Sequence, residues 1–327
     1  MGIGIKILGT GTYFPKKILN NKDLEKIVDT SDEWIISRTG IKERRISSKS
    51  ELTSDLAYEA SKKAIKSAKL TNEQIDLIIV TTITPDMPFP ATACLLQRKL
   101  GIKSIPAFDI SASCSGFIYG LATAKAFIES GLYKTVLLVS SEELSKITDW
   151  DDRSTCILFG DGAGAMVLTA SYKTNDCLSI FLGSDGIYSE LLFLPGGGTA
   201  FPTSKNTVSQ NLHKIKMQGN KIFKHAISKM VFAAKKALML ASKKKDDIRF
   251  FIPHQANIRI IESVAKKIGV SINNFFINIT KTGNTSSASV ITALDEAIKN
   301  GTVKNGDLVE LIAFGSGLTW GAAVLRI

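Results

Sequence analysis

Cys114 stands in Asp109-Ile-Ser-Ala-Ser-Cys-Ser-Gly-Phe-Ile-Tyr-Gly120, a run of small residues that passes into an apolar helical pattern. Such a loop delivers one thiol to a helix N-terminus. The unpaired N–H groups and positive dipole end found there favour thiolate, the reactive form of cysteine. Two more polar residues occupy comparable loops downstream: His254 in Ile252-Pro-His-Gln-Ala-Asn257, and Asn284 in Thr282-Gly-Asn-Thr-Ser-Ser287. A cysteine nucleophile with a histidine and an untitratable amide suits acyl transfer through a covalent thioester.

Positioning three such loops takes a sizeable core. The chain of 327 residues is 44% hydrophobic, enough for two ordinary domains or one large double-core unit, and this argues against disorder. No apolar run approaches the length of a bilayer span. The start, Met1-Gly-Ile-Gly-Ile-Lys-Ile-Leu-Gly9, lacks a signal-peptide pattern and reads as the first strand of a cytoplasmic protein. Four cysteines, at 94, 114, 156 and 177, have no metal-ligand spacing, and three histidines, at 213, 225 and 254, add none. No metal is expected, and Cys94 and Cys156 read as small buried hydrophobes. The net charge of +11 has two readings, a solvated lysine-rich surface or attraction to an acidic partner.

Apolar β-rich runs alternate with helical patterns. In the first half the order is helix 53–69, strand 75–82, strand 107–110, helix 115–130 and strand 135–140. The second half repeats it with helix 222–240, strand 248–252, strand 275–279, helix 286–299 and strand 308–313. Cys114 stands 17 residues before Gly131, and Asn284 stands 17 before Gly301. That spacing predicts a duplicated α/β unit, residues 1–172 and 173–327, with Cys114 and Asn284 at equivalent loop-to-helix junctions. The glycine-rich run 160–165 lacks dinucleotide-loop spacing and leads into a strand-like run rather than a helix. Gly196-Gly-Gly198 reads as a mobile surface loop.

These segments together resemble the β-ketoacyl-acyl-carrier-protein synthase III family, the initiating condensing enzymes of type II fatty acid synthesis. The resemblance runs end to end. It is carried by Asp32-Glu-Trp-Ile-Ile-Ser-Arg-Thr-Gly-Ile-Lys-Glu-Arg44, the Cys114 loop, Phe159-Gly-Asp-Gly-Ala-Gly-Ala165, Pro253-His-Gln-Ala-Asn257, Gly283-Asn-Thr-Ser286 and Phe314-Gly-Ser-Gly-Leu-Thr-Trp-Gly321. It implies a thiolase-like five-layer α-β-α-β-α fold of two pseudo-symmetric halves, and a homodimer.

The resemblance also implies roles. Cys114 takes a short acyl group from acyl-CoA, and His254 and Asn284 stabilise the enolate formed when malonyl-acyl carrier protein loses CO₂. The backbone N–H groups of Cys114 and Ser316 form the oxyanion hole. Trp34, Arg38 and Arg153 hold the CoA adenine, and Gly219, Phe223, Ala256 and Asn257 line the pantetheine path. Phe89 limits acyl length from across the dimer interface, and Phe314 packs near the thiol. Lys224, Arg259, Lys266 and Lys267 near the tunnel mouth steer acyl carrier protein, a small acidic partner. No cofactor is implied, since the CoA thioester is a substrate.

Two alternatives stand beside this reading. One is a secondary-metabolite homologue with another acyl acceptor. The other, from a different class, is a non-catalytic basic binding protein. For nucleic acid the chain shows no aromatic–basic interleaving and no known motif, and its charge is spread throughout.

Overall fold

The computed structural model describes residues 2–327. The first half contains strands β1 (Gly4–Tyr13), β2 (Leu77–Thr81), β3 (Ala107–Ile110), β4 (Thr135–Glu143) and β5 (Asp161–Ser171). Its main helices are α1 (Asp32–Thr39), α2 (Thr53–Ser67), α3 (Thr92–Leu100) and α4 (Gly116–Glu129). The second half contains β6 (Cys177–Ser184), β7 (Phe250–Pro253), β8 (Leu308–Gly315) and β9 (Thr319–Arg326). Its main helices are α5 (Gly219–Leu240), α6 (Ile258–Ile268) and α7 (Ala288–Lys299).

The two sheets have one topology. In the first the order is β1-β5-β4-β2-β3, with β2 parallel to both β3 and β4, and with β4/β5 and β5/β1 antiparallel. In the second, β6-β9-β8-β7, β7/β8 is parallel, and β8/β9 and β9/β6 are antiparallel. Strand β7 thus matches β2, and β8 matches β4.

The counterpart of β3 is missing as a strand. The expected strand at 275–279 is reduced to one parallel bridge, Phe251 to Phe275, and 279–282 forms a helical turn. The cause is Gln255. Its Oε1 accepts the N–H groups of Asn278 and Ile279 at 3.1 and 3.3 Å, and its Nε2 donates to Phe276 O at 3.1 Å. A buried side-chain amide occupies the groups that a ladder would pair.

The central strands of both sheets, β2 and β4 in the first and β8 and β9 in the second, are buried on both faces. Leu77 and Ile79 join the central cluster, with Phe117 and Leu121 of α4 and Ile291 and Leu294 of α7. Ile78 and Val80 point the other way, against Leu56 and Ala60 of α2. In the second sheet Leu311 and Ala313 face the centre, while Ile312 and Phe314 face Met230 of α5 and Ile261 of α6. The result is five layers, helices–sheet–helices–sheet–helices, with α4 and α7 side by side in the middle. The glycine-rich run 160–165 lies almost wholly within β5, and 196–198 is tied down by Gly196 N–H to Leu212 O at 2.7 Å.

Candidate active site

Cys114 lies in a single 3₁₀ turn, Ser113–Ser115, between β3 and α4. Ser113 adopts a left-handed backbone conformation, φ +50°. Ser115 Oγ donates to Ala112 O at 2.8 Å, and Thr319 Oγ1 lies 3.0 Å from Ala112 O and 2.9 Å from Ser316 O. Thr319 therefore clamps the cysteine turn to the 315–317 turn. A Cβ at Gly315 would come within 2.6 Å of Cys114 N, so only glycine lets the two backbones meet. The Ser316 hydroxyl is committed to the Leu192 carbonyl.

The thiol is buried, and burial pushes it up to about 11, with the Glu142 carboxylate adding to the rise. The thiolate expected from the helix N-terminus is not the resting form. Removing the sulfur from water outweighs the dipole here, and Cys114 rests as a thiol.

His254 follows β7, and its N–H donates to Ile312 O at 2.7 Å. Its ring is buried, with Nδ1 2.6 Å from Ser289 Oγ, and burial pushes its pKa down to about 3. The imidazole is neutral. Asn284 is anchored by its N–H to Leu158 O at 2.9 Å, and its carbonyl accepts Gly160 N–H at 3.0 Å. Asn284 Oδ1 accepts Ser286 N–H at 2.9 Å, which leaves its NH₂ free to donate. Gly283, at φ +63°, has no room for a Cβ, which would lie 2.9 Å from Cβ of the fully buried Arg44. The Arg44 guanidinium donates to Leu19 O, Asn21 Oδ1 and Ile157 O, holding this floor in place.

Cys114, His254, Asn284 and Phe314 line one cavity of about 650 Å³. The same cavity is lined further out by Gly219, Phe223, Ala256 and Asn257, then by Trp34, Arg38, Lys224 and Arg259. A second space of about 390 Å³ lies against Cys114 between apolar walls that include Ile83, Leu144 and Phe193.

Not every expected residue joins this path. Arg153 stays outside the lining and rests on Trp34, its Cζ 5.0 Å from the ring centroid, while Arg38 Cζ lies 5.8 Å away. Phe89 is 83% exposed and touches neither space. Lys266 and Lys267 lie in the last turn of α6, whereas Arg259 is in its first, so those two lysines are not at the cavity mouth.

The expected equivalence of Cys114 and Asn284 also changes. Ser286 has the same φ, +50°, as Ser113, so the backbone counterpart of Cys114 is Ser287 and Asn284 stands three residues earlier. The matched spacing to Gly131 and Gly301 arose because α4 and its turn are three residues longer than their counterpart. Sequence reasoning missed Ser289, Thr319 and Glu142 as well. The one signal for Glu142 was a carboxylate near the end of a strand that opens on a run of apolar residues, 136–139.

Among the described residues, no group of three or more His, Cys, Asp and Glu is placed to hold a metal ion. No helix among them is long and apolar enough to cross a membrane.

The family model described as 3-oxoacyl-[acyl-carrier-protein (ACP)] synthase III matches residues 108–186, and the model for the C-terminal part of the same family matches residues 238–327. The chain is 52% identical over 324 residues to the β-ketoacyl-[acyl-carrier-protein] synthase III of Caldanaerobacter subterraneus subsp. tengcongensis, covering 99% of this chain and 98% of that one. It is 50% identical over 320 residues to the same enzyme of Clostridioides difficile, covering 98% and 97%. Its fold is similar to that of the crystal structure of 3-oxoacyl-[acyl-carrier-protein] synthase III from Aquifex aeolicus, with a TM-score of 0.91, 49% identity, and 99% and 100% of the two chains covered.

Proposed function

The chain belongs to the 3-oxoacyl-[acyl-carrier-protein] synthase III family, and on that premise we propose that Cys114, His254 and Asn284 carry its condensing reaction. It is an acyltransferase of the kind that initiates fatty acid synthesis. The secondary-metabolite and basic-binding-protein readings are not favoured, given near-full-length identity of about half to synthases of that name.

The Cys114 sulfur attacks the carbonyl of a short acyl-CoA. The bond to the CoA sulfur breaks, the acyl group stays on Cys114, and the thiol proton leaves with CoA. Backbone N–H groups of Cys114 and Ser316 hold the oxyanion, and each such donor is worth roughly 10²–10³ in rate. Malonyl-acyl carrier protein then loses CO₂, and the electron pair of the broken C–C bond forms an enolate. N–H donors of His254 and Asn284 stabilise the enolate oxygen, and the wall at Phe314 disfavours the carboxylate. The enolate carbon attacks the acyl-cysteine, the sulfur leaves and regains a proton, and β-ketoacyl-acyl carrier protein is released.

The observation that carries this reading is the shared cavity, which is lined by a buried thiol, a neutral imidazole and a carboxamide whose NH₂ is left to donate. Its test is labelling with radioactive acetyl-CoA. Wild-type protein should acquire one acyl group and condense it with malonyl-acyl carrier protein, and Cys114→Ala should do neither. Undiminished labelling of Cys114→Ala overturns the nucleophile.

Trp34, Arg38 and Arg153 hold the adenine, Arg153 swinging off the indole to admit the base, and Gly219, Phe223, Ala256 and Asn257 line the pantetheine path. Lys224, Arg259, Lys266 and Lys267 attract acyl carrier protein. The protein acts in the cytoplasm as a homodimer of two-half protomers, 1–172 and 173–327, with no resident cofactor. Support for the dimer comes from β3, an edge strand with one side unpaired in its sheet, and from Phe89, a bare aromatic ring suited to a partner's acyl pocket.

A further inference from the structure

His254 donates toward a ligand only if its proton sits on the nitrogen that faces the cavity. One protein contact decides this. Nδ1 lies 2.6 Å from Ser289 Oγ, and both groups are buried. Nε2 has no hydrogen-bond partner among the described residues, and the ring lines the cavity with Cys114 and Asn284.

Ser289 Oγ already accepts the N–H of Gln255 at 3.3 Å. Gln255 is itself locked, its Nε2 donating to Pro253 O at 2.8 Å and to Phe276 O at 3.1 Å. Among the described residues, His254 Nδ1 is the one acceptor hydrogen-bonded to the Ser289 hydroxyl. Were the imidazole proton on Nδ1, Ser289 would accept twice and its own proton would be buried without an acceptor. With Nδ1 bare, the hydroxyl donates to it and every group is satisfied.

We infer that Ser289 is a positioning residue whose hydroxyl donates to His254 Nδ1 and thereby fixes the histidine proton on Nε2, aimed into the cavity. This rests on the reading that His254 stabilises the malonyl enolate. Ser289 opens α7, the helix that Asn284 introduces, so a single turn of chain presents one enolate donor and sets the tautomer of the other. Burial keeps the ring neutral, so the choice lies between two tautomers and never includes the imidazolium.

The experiment compares wild type, Ser289→Ala and Ser289→Thr by three readouts: single-turnover acylation of Cys114 by acetyl-CoA, decarboxylation of malonyl-acyl carrier protein, and ¹⁵N shifts of the three histidines. Wild type should show His254 with Nε2 protonated and Nδ1 bare. Ser289→Ala should lose about 10–100-fold in decarboxylation, less than the removal of a full donor. It should keep acylation within about twofold and show mixed His254 tautomers. Ser289→Thr, which retains the hydroxyl, should recover decarboxylation and the Nε2–H signature.

A wild-type His254 protonated on Nδ1 overturns the inference even if no variant folds. Equal losses of acylation and decarboxylation in folded Ser289→Ala also overturn it, since they mark a merely structural residue. A His254→Ala variant that decarboxylates normally removes the enolate reading itself, while the ¹⁵N tautomer still reports on Ser289 alone.

Discussion

Ser287 Oγ donates to Oε1 of Glu142 at 2.7 Å, joining the turn of the second half that mirrors the cysteine turn to a strand of the first half. The other Glu142 oxygen accepts from Thr82 Oγ1, Ile83 N–H and Thr84 Oγ1 at 3.2, 3.0 and 2.9 Å. Four donors from two segments thus converge on one fully buried carboxyl, and its position governs where Ser287, and hence Asn284 three residues earlier, can lie.

Glu142→Ala leaves the donors of Thr82, Ile83 and Thr84 without that acceptor, while Ser287 Oγ can still donate to Thr81 O at 3.2 Å. Each orphaned buried donor costs about 1–3 kcal/mol, so a loss of at least about 3 kcal/mol is expected in urea unfolding. Glu142→Gln keeps an acceptor oxygen but removes the carboxylate charge which, although burial disfavours it, adds to the burial-driven rise of the Cys114 thiol. That thiol should then ionise at lower pH, and iodoacetamide should alkylate Cys114 several-fold faster at pH 8 than in wild type. An alkylation profile unmoved by Glu142→Gln would separate the carboxyl from the thiol.

Gly315 tests the contact between the two turns. A methyl group there meets Cys114 N at 2.6 Å, so Gly315→Ala must push the 315–317 turn away from the cysteine turn. Displacing one oxyanion donor predicts a fall in acylation rate of roughly 10²-fold, with a stability loss of only about 1–3 kcal/mol from overpacking. Single-turnover acylation by acetyl-CoA measures the first, and thermal unfolding the second. A variant that acylates normally would place the oxyanion donors elsewhere.

Glu310 of β8 is fully buried, and neither carboxyl oxygen has a hydrogen-bond partner among the described residues. Burial among apolar side chains raises its pKa well above the usual carboxylate range. A raised native pKa means that the native state holds this proton where the unfolded chain releases it. Stability is therefore fullest below the unfolded value of about 4.3, and falls by up to about 1.4 kcal/mol per pH unit above it until the native group ionises. Glu310→Met, similar in size and apolar, should raise the melting temperature more at pH 8 than at pH 4. Equal shifts at the two pH values would show that Glu310 finds a partner.

The chemistry of this protein was more legible in its sequence than the supports of that chemistry. Cys114, His254 and Asn284 stand out as a set because each sits in a short loop motif matching the resembled family, and the five layers come from that same resemblance. The strand expected at 275–279 fails because one side chain, Gln255, satisfies the backbone that a ladder would have paired. The pairing of Cys114 with Asn284 fails because equal spacing to a helix end hides a difference in helix length, which the shared φ of Ser113 and Ser286 exposes. Ser289 and Glu142 were invisible for a simpler reason. Their partners stand 35 and 145 residues away, and a serine at a helix start or a glutamate in a strand says nothing of what it meets.

Arg259 and the lysine pair of α6 separate two ways of attracting an acidic carrier protein. Arg259 lines the cavity mouth and sits over the Phe223 ring, its Cζ 5.6 Å from the centroid. Lys266 and Lys267 are two turns further along, about 10 Å by helical rise, or roughly one Debye length at 0.1 M salt. Charge reversal in Arg259→Glu should raise the KM for malonyl-acyl carrier protein about tenfold at low salt and flatten its dependence on ionic strength. The double variant Lys266→Glu, Lys267→Glu should change KM by less than about threefold, an effect erased by 0.3 M salt. If the lysine pair instead proved the stronger determinant, the carrier protein would approach along α6 and reach the cavity from its far end.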